Sequence, residues 1–266
     1  MKINSVKILF KSDLSSQIFD FIEILYYNIC MFKRIIYLIL LILLSVSLIE
    51  SVRNKIADDI LYPIVHNIGI QSNNATVIIF SGNLKRSLYK FDDAKKIFIY
   101  VIRNDDLSKQ KNALESAYVN LGHTYYKDGD YSNAAKSYYL ALKINPGNKS
   151  ALMPFVRINM ALGNTKQIIP IVDNYILENI KDATGYTELC GIYNRLEEYN
   201  SARISCQTAI RKNRHYARAH YDYAVALNGI GFKKDAAKEL QLAKKIQPGI
   251  KSREALEKIL LSVKKE

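Results

Sequence analysis

Residues 115–148 read ESAYVNLGHTYYKDGDYSNAAKSYYLALKINPGN, and this stretch decides the fold. Its central pair, Gly129 and Asp130, favours a break between two helices. Pro146 ends the second helix, because proline has no N–H for the helical ladder and restricts the residue before it. The small residues that would let the two backbones approach closely are Gly122, Ala134 and Ala141. The stretch therefore predicts two antiparallel helices joined by a tight turn.

The same markers return at a period of 34 residues. Ala134, Ala202 and Ala236 are separated by 68 and then 34 residues, and four units run in phase from residue 115 to 248 without an insertion. One hairpin cannot bury its apolar face alone, so neighbouring hairpins must stack to form a core. The period therefore predicts an all-α solenoid of helical hairpins.

The first unit resembles the tetratricopeptide repeat at every marker site of that family, with tyrosine in place of tryptophan and phenylalanine. The matching residues are Tyr118, Leu121, Gly122, Tyr125, Ala134, Tyr138, Ala141 and Pro146. The later units match more loosely. The second unit departs most, because Pro154 and Pro170 fall inside its two helices, where we expect kinks or shifted helix boundaries.

The resemblance implies a concave groove lined by the first helix of each hairpin, where partner peptides or helices bind. The residues at the matching positions are Val119, His123, Tyr126, Lys127, Met153, Arg157, Met160, Thr187, Asn194, Arg195, Tyr221 and Asn228. Some relatives clamp a C-terminal carboxylate with a set of Lys, Arg and Asn residues. That set is missing here, since Val119 and Pro154 stand at two of its positions.

The segments that flank the four units are less regular. Residues 91–101 resemble the second helix of one more unit, but its first helix would cross the β-branched stretch 76–80, so residues 75–114 are predicted to be a degenerate hairpin with an insertion. Residues 50–74, with Pro63 and Gly69, are predicted to be an irregular stalk. Residues 249–266 are predicted to be a capping helix.

Residues 35–49 read IIYLILLILLSVSLI and carry no charge. They favour a single transmembrane helix, an uncleaved signal anchor that follows a basic, partly amphipathic segment at 1–34. The alternative is translation from Met31 with a cleaved signal peptide, and a secreted product. Basic residues are more frequent before the span than after it, so we expect a single-pass membrane protein with its repeats outside the cytoplasm.

The net charge, the cysteines and the catalytic motifs bear on which functions the sequence favours. The net charge of +13 is concentrated in the last quarter, which leaves a nucleic-acid-binding protein as an alternative. Cys190 and Cys206 stand on the two helices of one hairpin, and a disulfide between them is conceivable outside the cytoplasm. No phosphate loop, metal motif or catalytic constellation is present, so we expect no catalytic residue, metal or cofactor, and no enzyme activity.

These observations favour a membrane-tethered scaffold for protein–protein interactions. Its groove would recruit other proteins in cell-envelope assembly or secretion, and nucleic acid is not its expected partner. The identity of that partner, the start codon and the oligomeric state stay open.

Overall fold

The computed structural model describes residues 54–249, and all regular structure within that range is helical. The predicted segments at 1–34 and 35–49 and nearly all of the capping segment at 249–266 lie outside the described residues. The chain divides between Ala57 and Asp58 into two units, and every helix numbered below belongs to the second.

Twelve α-helices follow one another within the described range. They are α1 (Tyr62–Gln71), α2 (Ala75–Ser87), α3 (Phe91–Arg103), α4 (Asp105–Ser108), α5 (Lys111–Asp128), α6 (Tyr131–Ile144), α7 (Lys149–Ala161), α8 (Ile169–Glu178), α9 (Ala183–Arg195), α10 (Tyr199–Lys212), α11 (Ala217–Gly229) and α12 (Lys233–Ile246). Four pairs of consecutive helices pack as antiparallel hairpins, namely α2/α3, α5/α6, α9/α10 and α11/α12. The remaining pair, α7 and α8, continues the array between the second and third of these hairpins. This confirms the predicted all-α solenoid.

The turn inside each hairpin has one residue in the left-handed backbone region. These residues are Gly129 (φ 86°), Gly163 (φ 83°) and Gly231 (φ 90°), together with Glu197 (φ 61°) and Tyr89 (φ 60°). Four of the five lie at the 34-residue period. Glycine adopts this conformation without steric cost, whereas residues with a Cβ do not. Two hairpins therefore make the same turn with an unfavourable residue.

Close helix contact within a hairpin depends on small residues, as the sequence predicts. A Cβ on Gly122 would lie 2.7 Å from Cε1 of Tyr138, and Tyr138, Ala134 and Ala141 are fully buried. The ring of Tyr138 therefore packs directly on the backbone of α5, and side chains of neighbouring units continue the core from α5 to α9.

The predicted stalk is wrong where the structure describes it. Residues 54–71 are helical, with a π-helical turn at Ala57–Leu61 that continues into α1. Pro63 lies in the first turn of α1, directly after the π-helical turn. Gly69 lets α1 approach α2, because a Cβ there would lie 2.7 Å from Cγ1 of Ile78.

A cationic side chain also joins this helix to α2. Lys85 is buried, its Nζ donates to Asp58 at 2.5 Å, and the same Nζ lies 3.8 Å from the centre of the Tyr62 ring. Lys90 pairs with the other oxygen of Asp58. The two lysines lower the pKa of this carboxyl, chiefly through their hydrogen bonds.

The first helix of the upstream hairpin is complete, although its sequence is a poor helix former. Asn74 caps α2 by accepting hydrogen bonds from the N–H groups of Thr76 and Val77. Ile78 of this helix and Phe98 of α3 are fully buried in the same hydrophobic cluster. Tertiary packing therefore outweighs the low helix propensity of the β-branched stretch.

The two prolines of the second unit have different outcomes. Pro154 lies inside α7, which continues through it from Lys149 to Ala161. Pro170 lies in the first turn of α8, whose start is displaced to Ile169 so that the helix has only 10 residues. The boundary shift that the sequence predicts therefore occurs at Pro170.

Cys190 of α9 and Cys206 of α10 form a disulfide across the third hairpin. Their Cα atoms are 5.3 Å apart, and both side chains are fully buried. The bond joins the two helices of one unit, 16 residues apart in sequence.

No helix within residues 54–249 combines the length and apolar character needed to cross a membrane.

Candidate functional site

The first helices of successive hairpins lie side by side along the array. Helix α2 packs on α5, α5 on α7, α7 on α9, and α9 on α11. We call the surface that these five helices form together the inner face. The family resemblance predicts a partner-binding groove on this surface.

Ten of the twelve predicted groove residues keep some surface on this face. Lys127, Arg157 and Arg195 are exposed. The half-buried residues are His123, Tyr126, Met153, Met160, Asn194, Tyr221 and Asn228. They form a mixed row of cationic, aromatic, amide and thioether groups from α5 to α11.

The other two predicted groove residues are buried, which corrects their assignment. Val119 is 8% exposed and belongs to the core that joins α5 to its neighbours. Thr187 is fully buried, and its hydroxyl donates to the carbonyl of Ala183 at 2.9 Å. Both side chains pack inside the array, so neither is expected to contact a partner.

A basic cluster takes its residues from α2, α5 and α7, and α5 packs against both of the other helices. Arg86 of α2 donates to the backbone carbonyl of Asn120 at 3.3 Å and to its side-chain oxygen at 3.2 Å. His123 of α5 lies with Nδ1 2.7 Å from the Tyr138 hydroxyl. The charges of Arg86 and Arg157 both act to lower the pKa of the Tyr138 phenol, so both arginines lie within electrostatic range of it. We define the basic cluster as Arg86, His123 and Arg157.

The titration of this cluster follows from burial. Burial and, to a smaller extent, the charge of Arg86 lower the pKa of His123 to about 4. Burial also raises the pKa of the Tyr138 phenol, and this outweighs the opposing effect of Arg86. At neutral pH the imidazole is therefore uncharged and the phenol is protonated.

An ion-pair network occupies the other end of the inner face, between α9 and α11. Arg218 donates to both carboxylate oxygens of Glu188, at 2.6 and 3.0 Å, and its Nε lies 3.5 Å from Asp222. Glu188 is only 1% exposed. Burial opposes the charge of Arg218, but the two carboxylates outweigh it and raise the arginine pKa. Asn194 donates to the backbone carbonyl of Asp222 at 2.8 Å.

The sequence did not indicate these two polar sites. Arg86 precedes the six-residue insertion, so the 34-residue period does not place it in register with the groove positions. Glu188 and Arg218 stand 30 residues apart on different helices. Opposite charges 30 residues apart on neighbouring first helices are the sequence signal that could have indicated this pair.

The described residues show no group of three or more His, Cys, Asp or Glu side chains able to hold a metal ion.

Comparisons with known proteins agree with the architecture. A family model for the tetratricopeptide repeat matches residues 116–148. The structure of the MamA protein is similar at 21% identity, covering 65% of this chain and 92% of that one, with a TM-score of 0.53. YrrB, described as a TPR protein with an unusual peptide-binding site, is similar at 17% identity over 77% of this chain and 98% of that one, with a TM-score of 0.53.

A tetratricopeptide-repeat protein from Parabacteroides merdae is similar at 16% identity, covering 66% of this chain and 67% of that one, with a TM-score of 0.55. No curated protein matches the sequence. Likeness at these identities concerns the fold alone. Together with the hairpin array, it shows a helical solenoid similar in fold to tetratricopeptide-repeat proteins, and the family model matches one repeat at residues 116–148.

Proposed function

We propose that this chain is a membrane-tethered scaffold that binds a segment of another protein along its inner face. The observation that carries the proposal is the continuous row of partly accessible side chains on α5, α7, α9 and α11. Met153 and Met160 supply adaptable apolar contacts, and Tyr126 supplies a rigid amphipathic one. A solenoid presents such a row over an extended surface suited to a peptide or a helix.

Two observations support a tethered domain outside the cytoplasm. The apolar stretch 35–49 follows a basic segment, which is the pattern of a signal anchor. The disulfide between Cys190 and Cys206 is of a kind that persists mainly in oxidising compartments. In that setting the groove would recruit partners for envelope assembly or secretion.

Site-specific photocross-linking tests the binding surface. A photoreactive phenylalanine analogue replaces Tyr126 on the inner face or, as the matched control, Tyr100 on α3, which is a second helix. Tyr100 is 42% exposed. We expect discrete cross-linked proteins from position 126 that are missing from position 100. The same products at both positions, or none at 126, would show that the inner face is not the binding surface.

Thiol trapping in intact cells tests the location. A chain with Cys30→Ser is alkylated with a membrane-permeant reagent, and its migration is compared before and after reduction. We expect Cys190 and Cys206 to react only after reduction. Free thiols in untreated cells would place the repeats in a reducing compartment and refute the proposed orientation.

A further inference from the structure

The first helices carry a charge imbalance that their internal ion pairs do not remove. From α2, α5, α7, α9 and α11 we count eight lysines and arginines against four acidic residues. All four carboxylates have partners on the protein. Asp128 pairs with Lys95, Glu115 accepts hydrogen bonds from Asn145 and Asn148, and Glu188 and Asp222 share Arg218.

The cations of the inner face are paired only in part. Lys85, Lys149 and Arg218 are engaged with carboxylates. Within residues 54–249, no carboxylate lies within ion-pair distance of the other five, which are Arg86, Lys111, Lys127, Arg157 and Arg195. Two of these arginines belong to the basic cluster, so the excess positive charge is concentrated near α2, α5 and α7.

The hydrogen bonds of the basic cluster leave donors for a ligand. The guanidinium of Arg86 is held in place by Asn120, which accepts from one of its nitrogens, Nη1. The protonated hydroxyl of Tyr138 can donate to Nδ1 of His123, and the ring proton then lies on Nε2. Arg157 is exposed and supplies a planar fork of donors suited to a carboxylate. Asn120 and Tyr138 thereby hold two of the three donor groups in place.

We infer that the basic cluster is an anion subsite that binds a Glu or Asp side chain of an acidic, partly apolar segment of a partner protein. The inference rests on the proposed function, since it names the chemistry of the segment that the inner face would bind. Tyr126, Met153 and Met160 on α5 and α7 provide the apolar contacts beside the subsite.

The distribution of charge favours an acidic peptide over a nucleic acid. A nucleic-acid backbone presents a phosphate at every residue and needs a continuous basic track. On the inner face, the track is interrupted at α9 and α11, where Glu188 and Asp222 neutralise Arg218. A segment with a few carboxylates among apolar residues fits this pattern, because only the α2–α7 end is strongly cationic.

Fluorescence anisotropy on the full chain tests the inference. The probe is a labelled 12-residue peptide with four Glu among Leu and Ala residues, and the matched probe has Gln at the same four positions. We expect the Glu peptide to bind about tenfold more tightly at low salt, and Arg157→Gln to weaken it about five- to tenfold. The matched control, Arg211→Gln on α10, changes another exposed arginine and should leave binding unchanged.

Four results would overturn the inference. They are equal affinity for both peptides, no measurable binding of the Glu peptide, equal losses in both variants, or tighter binding of a labelled 12-nucleotide single-stranded RNA that Arg157→Gln also weakens. If the two peptides bind equally and Met160→Ala weakens both, the inner face still binds peptides, so the proposed function survives without the anion subsite. Cross-linking at Tyr126 tests that function independently of charge.

Discussion

Replacing Glu197 with glycine should stabilise the protein, because the turn of the third hairpin has a left-handed residue with a side chain. Glu197 has φ 61°, and it stands at the position that Gly129, Gly163 and Gly231 occupy in the other units. Glu197 is exposed, and no hydrogen bond or ion pair holds its carboxylate among the described residues. The substitution therefore removes backbone strain and little else.

The expected change in the free energy of unfolding is the difference between two opposing effects. A non-glycine residue in the left-handed region costs about 1–2 kcal/mol. Glycine in turn loses more conformational freedom on folding, which costs about 0.5–1 kcal/mol. The net gain for Glu197→Gly is therefore about 0.5–1 kcal/mol. Tyr89→Gly should give a similar gain in the upstream hairpin, where φ is 60° and the side chain is 77% exposed.

Urea unfolding monitored by circular dichroism at 222 nm measures this effect on the full chain in mild detergent. We expect Glu197→Gly to raise the midpoint without a change in slope. The matched control is Gly129→Ala, which places a Cβ in the same backbone conformation with no atom within 4 Å of it. That variant should lose stability for backbone reasons alone. An unchanged or lower midpoint for Glu197→Gly would refute the argument that the turn is strained.

Three further predictions concern the disulfide, Gly122 and His123. Reduction of the disulfide between Cys190 and Cys206, which are 16 residues apart, should lower the free energy of unfolding by about 3 kcal/mol, measured by urea unfolding with and without a reductant. Gly122→Ala should cost about 1–3 kcal/mol through overpacking, because the new methyl group would meet the Tyr138 ring at 2.7 Å; a thermal melt that matches wild type would contradict this packing. His123 has a pKa lowered to about 4 in the folded state, so the unfolded chain binds more protons below its ordinary value of 6.5. Stability should therefore fall by roughly 1–3 kcal/mol between pH 6.5 and 4, and His123→Gln should remove that part of the pH dependence in parallel melts.

The sequence predicted the architecture because repeat markers report local geometry. Gly122 and Ala134 allow two backbones to approach whatever lies further along the chain. Pro170 shifts the start of a helix by its missing N–H alone. Helix propensity was a poor guide where tertiary packing determines whether a helix forms. The β-branched first turns of α2 form a helix because Asn74 caps them and Ile78 is buried against α3.

The sequence predicts a set of groove positions, but it does not predict the contacts that the side chains at these positions make. The period identifies which residues of a first helix face inwards, and ten of the twelve predicted residues keep some surface. Val119 and Thr187 are buried. Whether a side chain at such a position is buried or exposed depends on the spacing and crossing angle of the helices. Both of these depend on side chains from other units.

The sequence by itself determined the helical hairpin, its 34-residue repeat and the apolar marker residues, because each depends on interactions within one unit. Only the tertiary structure decided that Arg86 joins His123 and Arg157 in one cluster, and that Arg218 is neutralised by Glu188. These groups lie 30 or more residues apart, on helices of different units. Their meeting depends on how the hairpins stack, and the charge of the inner face follows from that stacking.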